Sequence, residues 1–130
     1  MNTLSDVVER LKNRFKVYAV ILFGSRARGD WKPWSDYDLL VIGDFDKDYL
    51  DRIGEVLDAL RDVRLPVEPH PYTLSEALEM VEKGNPLIIS ALEEGVVLHS
   101  TGEFEKLVKA FEELKKKGLE KTRTSYKLHA

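Results

Sequence analysis

The sequence has no cysteine among its 130 residues. This absence excludes disulfides and thiolate metal sites, and it is typical of a protein kept in a reducing compartment. Long hydrophobic runs are also absent, and residues 1–14 are charged and amphipathic, so neither a signal peptide nor a membrane span is predicted. We therefore expect a cytoplasmic protein with no membrane contact.

Acidic residues outnumber basic ones outside the C-terminal tail. Residues 115–130 hold six Lys or Arg and one Glu, so they carry +5, and residues 1–114 carry −8 of the net charge of −3. An acidic body makes nucleic acid an unlikely partner, because general nucleic-acid binding needs a basic surface. The basic tail has two interpretations: cations at a helix C-terminus followed by a loose end, or a binding site for an acidic partner or phosphates.

A chain of this length with 43% hydrophobic residues can bury one core but has no room for a second. We expect one domain over residues 1–118, followed by a basic tail over residues 119–130. Apolar residues three and four apart predict helices over 4–11, 50–60, 74–84, 86–94 and 104–117. Their predicted caps are Thr3 with Asp6, Asp44 or Asp46, Thr73 with Glu76, Asn85 with Pro86, and Ser100 with Glu103.

Two of these helices carry specific expectations. In the second, Leu50, Ile53, Leu57 and Leu60 are interpreted as core residues, and its Asp and Arg side chains as a solvated face. The helix over residues 86–94 is apolar all round, which is typical of a central helix or of an interface.

The apolar run over residues 17–23 is rich in β-branched and aromatic side chains, so it predicts a buried strand. It ends at Gly24-Ser25, where glycine lets the backbone come close to a ligand. If a short helix starts at Ser25, its N–H groups favour an anion such as phosphate, and the Ser25 hydroxyl adds a donor. Arg26 and Arg28 add positive charge, and Arg26 is the nearer to the turn.

Ten residues separate Ser25 from Asp36-Tyr37-Asp38, which opens a second apolar strand running to residue 42. Strand alternation places both aspartates on one face, about 6 to 7 Å apart along the backbone. Carboxylates this close repel each other, and divalent cations relieve the repulsion. The pattern therefore indicates a metal site. Trp31 and Trp34 lie in the intervening loop; a base-stacking surface is one interpretation, but we favour one tryptophan packing as a lid on the core.

One combination of features resembles the signature of the DNA polymerase β-like nucleotidyltransferase superfamily, in particular its minimal nucleotidyltransferase (MNT) domains. It consists of a strand, the Gly24-Ser25 turn, a ten-residue gap and Asp36-Tyr37-Asp38. The resemblance implies an α/β (α+β) nucleotidyltransferase fold, a small mixed β-sheet flanked by helices. It implies transfer of a nucleoside monophosphate, with AMP from ATP as our choice, to an acceptor hydroxyl with two Mg²⁺ ions. MNT domains are often paired with a HEPN partner protein, so we expect such a partner or a homo-oligomer to supply acceptor recognition.

The resemblance also implies residue roles. The implied catalytic and metal-binding residues are Asp36, Asp38 and Glu68, and the implied nucleotide-binding residues are Gly24, Ser25 and Arg26. Two other functions stay open. One is a nucleotide-binding, antitoxin-like subunit of a HEPN/MNT pair that acts by occupying its partner through the helix over 86–94. The other is an enzyme acting on nucleic-acid ends, which the acidic body disfavours.

Glu68 is the only good candidate for the third carboxylate, which the family places on a strand beside the aspartates. The strand over residues 65–72 departs from the family pattern, with Glu where Asp is common and with several prolines. Pro69 and Pro71 lie two apart, so their missing N–H groups face one side and the strand can still occupy a sheet edge. His70 shares a face with Glu68; we interpret it as a hydrogen-bonded structural residue, with contact to nucleotide or acceptor as the alternative.

Overall fold

A computed structural model describes residues 3–117, 119–121 and 126–128. The helices are α1 (Leu4–Arg14), α2 (Ser25–Arg28), α3 (Tyr49–Ala59), α4 (Leu74–Glu82), α5 (Pro86–Glu94) and α6 (Phe104–Lys116), and the strands are β1 (Val17–Phe23), β2 (Tyr37–Gly43), β3 (Val67–Tyr72), β4 (Val96–Ser100), β5 (Leu119–Lys121) and β6 (Tyr126–Leu128). Four strands form one sheet in the order β3-β2-β1-β4. Strand β1 is antiparallel to β2 and β4, whereas β2 and β3 are parallel. This arrangement confirms the predicted mixed sheet flanked by helices.

The two central strands are apolar because both of their faces are covered. Alternate residues of β1 and β2, such as Ile21 and Leu40, pack against α4, α5 and α6. The residues between them, such as Val20 and Leu39, pack against α1 and α3 on the opposite face. Continuous burial of this kind produces near-continuous hydrophobic runs, and it explains why the bounds of β1 could be predicted from the sequence.

The predicted N-caps are confirmed at three helices and wrong at two. Thr3 and Thr73 each form a capping box, and the Asn85 side chain accepts from the Leu87 N–H. Helix α3 starts instead after Asp48, neither Asp44 nor Asp46, and α6 starts after Glu103; neither cap makes a side-chain hydrogen bond. Ser100 could not cap α6 because it ends β4. The predicted helix end at Gly118 lies outside the described residues.

The interpretation of α3 as an apolar core stripe is wrong in part. Leu50 is 79% exposed and Leu57 is 47% exposed, whereas Arg52, assigned to a solvated face, is buried. The Arg52 guanidinium donates to both carboxylate oxygens of Glu76, at 2.7 and 3.2 Å, and to the Lys47 carbonyl at 2.6 Å. A buried guanidinium is tolerated because its donors are satisfied. The helix is therefore joined to α4 by an ion pair.

We expect Glu76→Gln to lower the free energy of unfolding by about 1 to 2 kcal/mol at neutral pH, because it leaves buried Arg52 without its anion. Arg52 holds the pKa of Glu76 below its usual range. A lowered folded-state pKa gives stability that is present above the unfolded-state pKa and is lost as the pH falls through the folded-state value. Urea unfolding at pH 7 and pH 3 should show the difference between variant and wild type shrinking in acid. Glu79→Gln, at an exposed ion pair with Lys83 on the same helix, should change little at either pH; equal losses in both variants would contradict the buried-pair argument.

The remaining elements settle two further expectations. Strand β3 lies at the sheet edge, as its prolines predict. Helix α5 is central, because Ile88, Ile89 and Ala91 are buried in the core against β1 and α6. The face that α5 turns to the sheet is thus occupied by the protein itself, and a partner contact through the rest of the helix stays a prediction.

A loose end is one of the two sequence-based interpretations of the C-terminal tail, but part of the tail is paired in the structure. Its described residues form two short strands, β5 and β6, which pair in antiparallel fashion with Leu119 opposite Leu128. Residues 122–125 of the basic segment lie outside the described residues. Among the helices that the structure describes, none has both the length and the hydropathy needed to cross a membrane.

Candidate active site

Three metal-ligating side chains meet where β2 and β3 begin. The parallel register places Asp38 opposite Glu68, and Leu40 opposite His70. Each of Asp38, Glu68 and His70 offers one donor atom, and the three atoms lie within 4.8 Å of one another. We call these three residues the Asp38 cluster. The cluster depends on pairing between strands thirty residues apart, so it combines groups that the sequence presents separately.

The imidazole of His70 lies within the Asp38 cluster and forms the hydrogen-bonding contact that the sequence-based interpretation expected. Its Nε2 lies 3.3 Å from Oδ1 of Asp38, and its ring centroid lies 5.1 Å from that of Phe23. The His70 side chain is 15% exposed. Sequence reasoning gave His70 a mainly structural role. The sequence signal that favours a place for His70 in the site is its position two residues after Glu68, which puts both side chains on one face of a strand.

The carboxylates of the cluster oppose each other electrostatically. Asp38 raises the pKa of Glu68, first by sharing a hydrogen bond that requires a proton and then by charge repulsion, and partial burial acts in the same direction. A raised carboxyl pKa means that the anionic pair is unfavourable as it stands. A divalent cation would remove this penalty, and two carboxylate oxygens with one imidazole nitrogen form a chemically suitable donor set. The residues present thus fit a divalent cation.

Asp36 takes a different position from Asp38. It precedes the start of β2, it is exposed, and it is not among the described residues whose donors form the close cluster. Its negative charge still acts at the site, since it contributes to the raised pKa of Glu68. A metal-binding role for Asp36 therefore stays a prediction, and the carboxylate that the fold brings to Glu68 is that of Asp38.

The Gly24-Ser25 turn lies directly against the Asp38 cluster. Gly24 has φ of 76°, in the left-handed region, and the short helix α2 begins at Ser25. A Cβ on Gly24 would overlap Oδ2 of Asp38 and lie 3.3 Å from its Cγ. Only glycine can satisfy both the backbone angle and the close approach. The turn and the carboxylate are therefore parts of one surface.

Arg26 holds the loop that leads to the aspartates. Its Nε and Nη2 donate to the Ser35 carbonyl at 3.2 and 3.1 Å, and its guanidinium lies 4.4 Å from the ring centroids of both Trp31 and Tyr37. Such stacking and hydrogen bonding fix the loop that ends at Ser35. The structure thus gives Arg26 a positioning contact that the sequence did not predict, and its predicted contact with phosphate stays a prediction.

The loop tryptophans do not form a lid on the core. Trp34 is 78% exposed and Trp31 is 49% exposed, with the Trp31 ring against Arg26. The predicted packing of a tryptophan on the core is wrong, because Trp31 packs on the guanidinium of Arg26 and not on the apolar core.

Comparison with known proteins identifies the class to which this fold and site belong. Residues 4–99 match the model of the nucleotidyltransferase domain family, a span that contains the turn and the whole Asp38 cluster. The chain therefore belongs to the nucleotidyltransferase domain family, which confirms the resemblance.

Individual relatives agree with this assignment. One candidate protein adenylyltransferase of Methanocaldococcus jannaschii is 43% identical over 49 residues, covering 36% of this chain and 49% of the relative, so the match spans about half of that protein's length. A second from the same organism is 37% identical over 70 residues, covering 48% of this chain and 80% of the relative. A chain in the structure of a toxin–antitoxin complex with AMP-PNP has the same fold, with a TM-score of 0.51, 17% identity and 86% coverage of both chains.

Proposed function

We propose that the protein transfers a nucleoside monophosphate, AMP from ATP, to a hydroxyl group on a partner protein. The observation that carries this proposal is the contact between the Gly24 turn and Asp38, which puts a site suited to phosphate beside a site suited to a divalent cation. A nucleoside triphosphate bound with a cation requires these two features to be adjacent. Two relatives are named for adenylyl transfer to protein, which supports both the choice of nucleotide and the choice of acceptor.

The chain's residues would position charge rather than react covalently. Asp38 and Glu68, with Asp36 from the edge of the site, would hold two Mg²⁺ ions. When bound, these ions would neutralise the triphosphate and stabilise the leaving pyrophosphate. The Gly24 turn and the Ser25 hydroxyl would bind the terminal phosphates, and Arg26 would add charge through N–H groups that do not contact Ser35. Glu68 would also help to remove the proton of the attacking hydroxyl.

The proposed partner is a HEPN protein, as the MNT resemblance implies. The fold shared with a chain of a toxin–antitoxin complex agrees with such a pairing. In this proposal the partner, or a second copy of the chain, supplies acceptor recognition.

The proposal is tested by label transfer. Purified protein is incubated with each α-labelled nucleoside triphosphate and Mg²⁺, with a co-expressed HEPN partner, RNA and the chain alone as acceptors. Label on the partner from ATP, lost with Asp38→Asn, is the expected result. Stable co-purification with a partner whose mass is unchanged by ATP, together with intact Mg-nucleotide binding, would replace the enzyme with an antitoxin-like binding subunit. Label on RNA would mean that RNA, and not a partner protein, is the acceptor.

We expect Ser25→Ala to weaken nucleotide binding by about threefold to tenfold, because one neutral hydrogen bond to phosphate contributes about 0.5 to 1.5 kcal/mol. The fold should be unaffected, since no described hydrogen bond from the Ser25 side chain supports the turn and its carbonyl still accepts from Gly29. Calorimetry with Mg-ATP measures the affinity, and Ser75→Ala, at an exposed serine on another helix, serves as the control. Unchanged affinity in Ser25→Ala would remove this hydroxyl from the nucleotide site.

A further inference from the structure

His70 lies inside the Asp38 cluster, yet the proposed transfer gives it no role. Its Nε2 lies 3.3 Å from Oδ1 of Asp38, and Asp38, Glu68 and His70 each offer one donor atom within 4.8 Å of the other two. The carboxylate of Asp38 contacts this nitrogen, and the ring of Phe23 packs against the imidazole from β1. A nitrogen donor thus lies close to two carboxylates.

The separation of these donors is close to that of ligands on a shared ion. At 3.3 Å, the contact between Nε2 and Oδ1 is longer than a typical N–H···O hydrogen bond of about 2.7 to 3.2 Å. Two ligands with bonds of about 2.1 Å to one cation lie about 3.0 Å apart when adjacent and about 4.2 Å apart when opposite. The three donor atoms lie within 4.8 Å of one another, so only small side-chain rotations are needed for all three to bind one ion.

The His70 ring is placed well enough to act as a ligand. Its side chain is 15% exposed, compared with 25% for Asp38, so both donors lie at the rim of the core rather than in bulk solvent. The parallel register fixes β3 against β2 on both sides of the cluster, from Tyr37 to Ile42. Limited side-chain freedom lowers the entropy that metal binding must offset.

We propose that His70 is the third protein ligand of the cation held by Asp38 and Glu68, and that it makes this site prefer Mn²⁺ or Co²⁺ to Mg²⁺. Mg²⁺ strongly prefers oxygen ligands, whereas imidazole favours first-row transition metals. This inference rests on the proposed function only in treating the cluster as a cation site. It concerns the choice of metal and does not depend on turnover.

The test uses the full chain without nucleotide and with Mn²⁺ as the probe. Titration of the free Mn²⁺ signal by electron paramagnetic resonance gives the affinity, and pulsed measurements detect ¹⁴N coupling from a coordinated imidazole. We expect imidazole coupling in the wild type and its loss in His70→Asn, with Mn²⁺ affinity lowered about tenfold or more. Mg²⁺ should displace Mn²⁺ only at a concentration about tenfold or more above that of Mn²⁺. His99→Asn, at a histidine of β4 outside the cluster, should keep both coupling and affinity.

Two results would overturn the proposal. Bound Mn²⁺ without imidazole coupling would leave His70 as a hydrogen-bond partner of Asp38, and an absence of Mn²⁺ binding by the wild type would remove the cation site itself. If His70→Asn fails to fold, wild-type protein labelled with ¹⁵N-histidine decides the question, because the coupling must change with the isotope. Imidazole coupling without label transfer would keep His70 as a ligand while rejecting the proposed enzyme, so the two failures can be told apart.

Discussion

Asp38→Asn is expected to lower the rate of nucleotidyl transfer by about three orders of magnitude, since a metal ligand supplies several kcal/mol of transition-state charge stabilisation. Asp38 is the aspartate that the fold places opposite Glu68, so its loss dismantles the Asp38 cluster. Label transfer at saturating ATP measures the rate. The variant should fold, because asparagine has nearly the same size and shape.

The same substitution should leave thermal stability unchanged or raise it. Asp38 raises the pKa of Glu68, so the folded protein binds this proton more tightly than the unfolded chain does, and the ionised pair costs stability at neutral pH. Removing one charge relieves that cost. Asp30→Asn makes the same chemical change in the exposed loop before the cluster and should keep activity. Turnover of Asp38→Asn within tenfold of the wild type would exclude Asp38 from the catalytic machinery.

Asp36 and Asp38 are equivalent in the family motif but differ in their positions in this structure. The sequence treats the two aspartates as equivalent because they are two residues apart, and strand alternation puts such residues on one face. The structure distinguishes them, because β2 begins at Tyr37 and only Asp38 has a partner across the sheet. Where a strand starts depends on its neighbours, and this information is absent from a single stretch of sequence.

The parts of the fold that the sequence predicts well are those set by local chemistry. Seven consecutive apolar residues gave the bounds of β1, and capping boxes at Thr3 and Thr73 gave the starts of α1 and α4. The failures are non-local. Arg52 is buried because Glu76, on another helix, accepts its hydrogen bonds, and the stacking of Trp31 requires Arg26 to be held by the Ser35 carbonyl. Neither partner can be identified from periodicity.

The candidate site shows the same division. The Gly24-Ser25 turn and the aspartates could be identified because their spacing forms a motif. The third carboxylate was assigned from family resemblance, and the structure places it opposite Asp38. The contact between His70 and Asp38 could not be predicted, because it depends on the register of β3 against β2, which the prolines of β3 permit without specifying.

Gly24→Ala is expected to disturb both stability and catalysis, because it affects backbone and carboxylate together. Alanine at φ of 76° costs about 1 kcal/mol in backbone strain. The new Cβ would also overlap Oδ2 of Asp38, so either the turn or the carboxylate must move. A displacement of about 1 Å in a catalytic group can lower the rate about a hundredfold. We expect transfer to fall by at least that factor, as measured with the same label assay.

Gly29→Ala supplies the matched control, because Gly29 also has a positive φ, of 91°, but a Cβ there would meet no atom within 4 Å. It should show the backbone cost alone, with activity close to that of the wild type. A double-mutant cycle isolates the collision: in an Asp38→Ala background, Gly24→Ala should cost less stability than in the wild type, since the overlapping carboxylate is gone. If Gly24→Ala and Gly29→Ala lose stability and activity equally, or if the cycle shows no coupling, the close approach of the turn to Asp38 is not what this glycine provides. A measured coupling would show that the Gly24 turn and the Asp38 carboxylate move together.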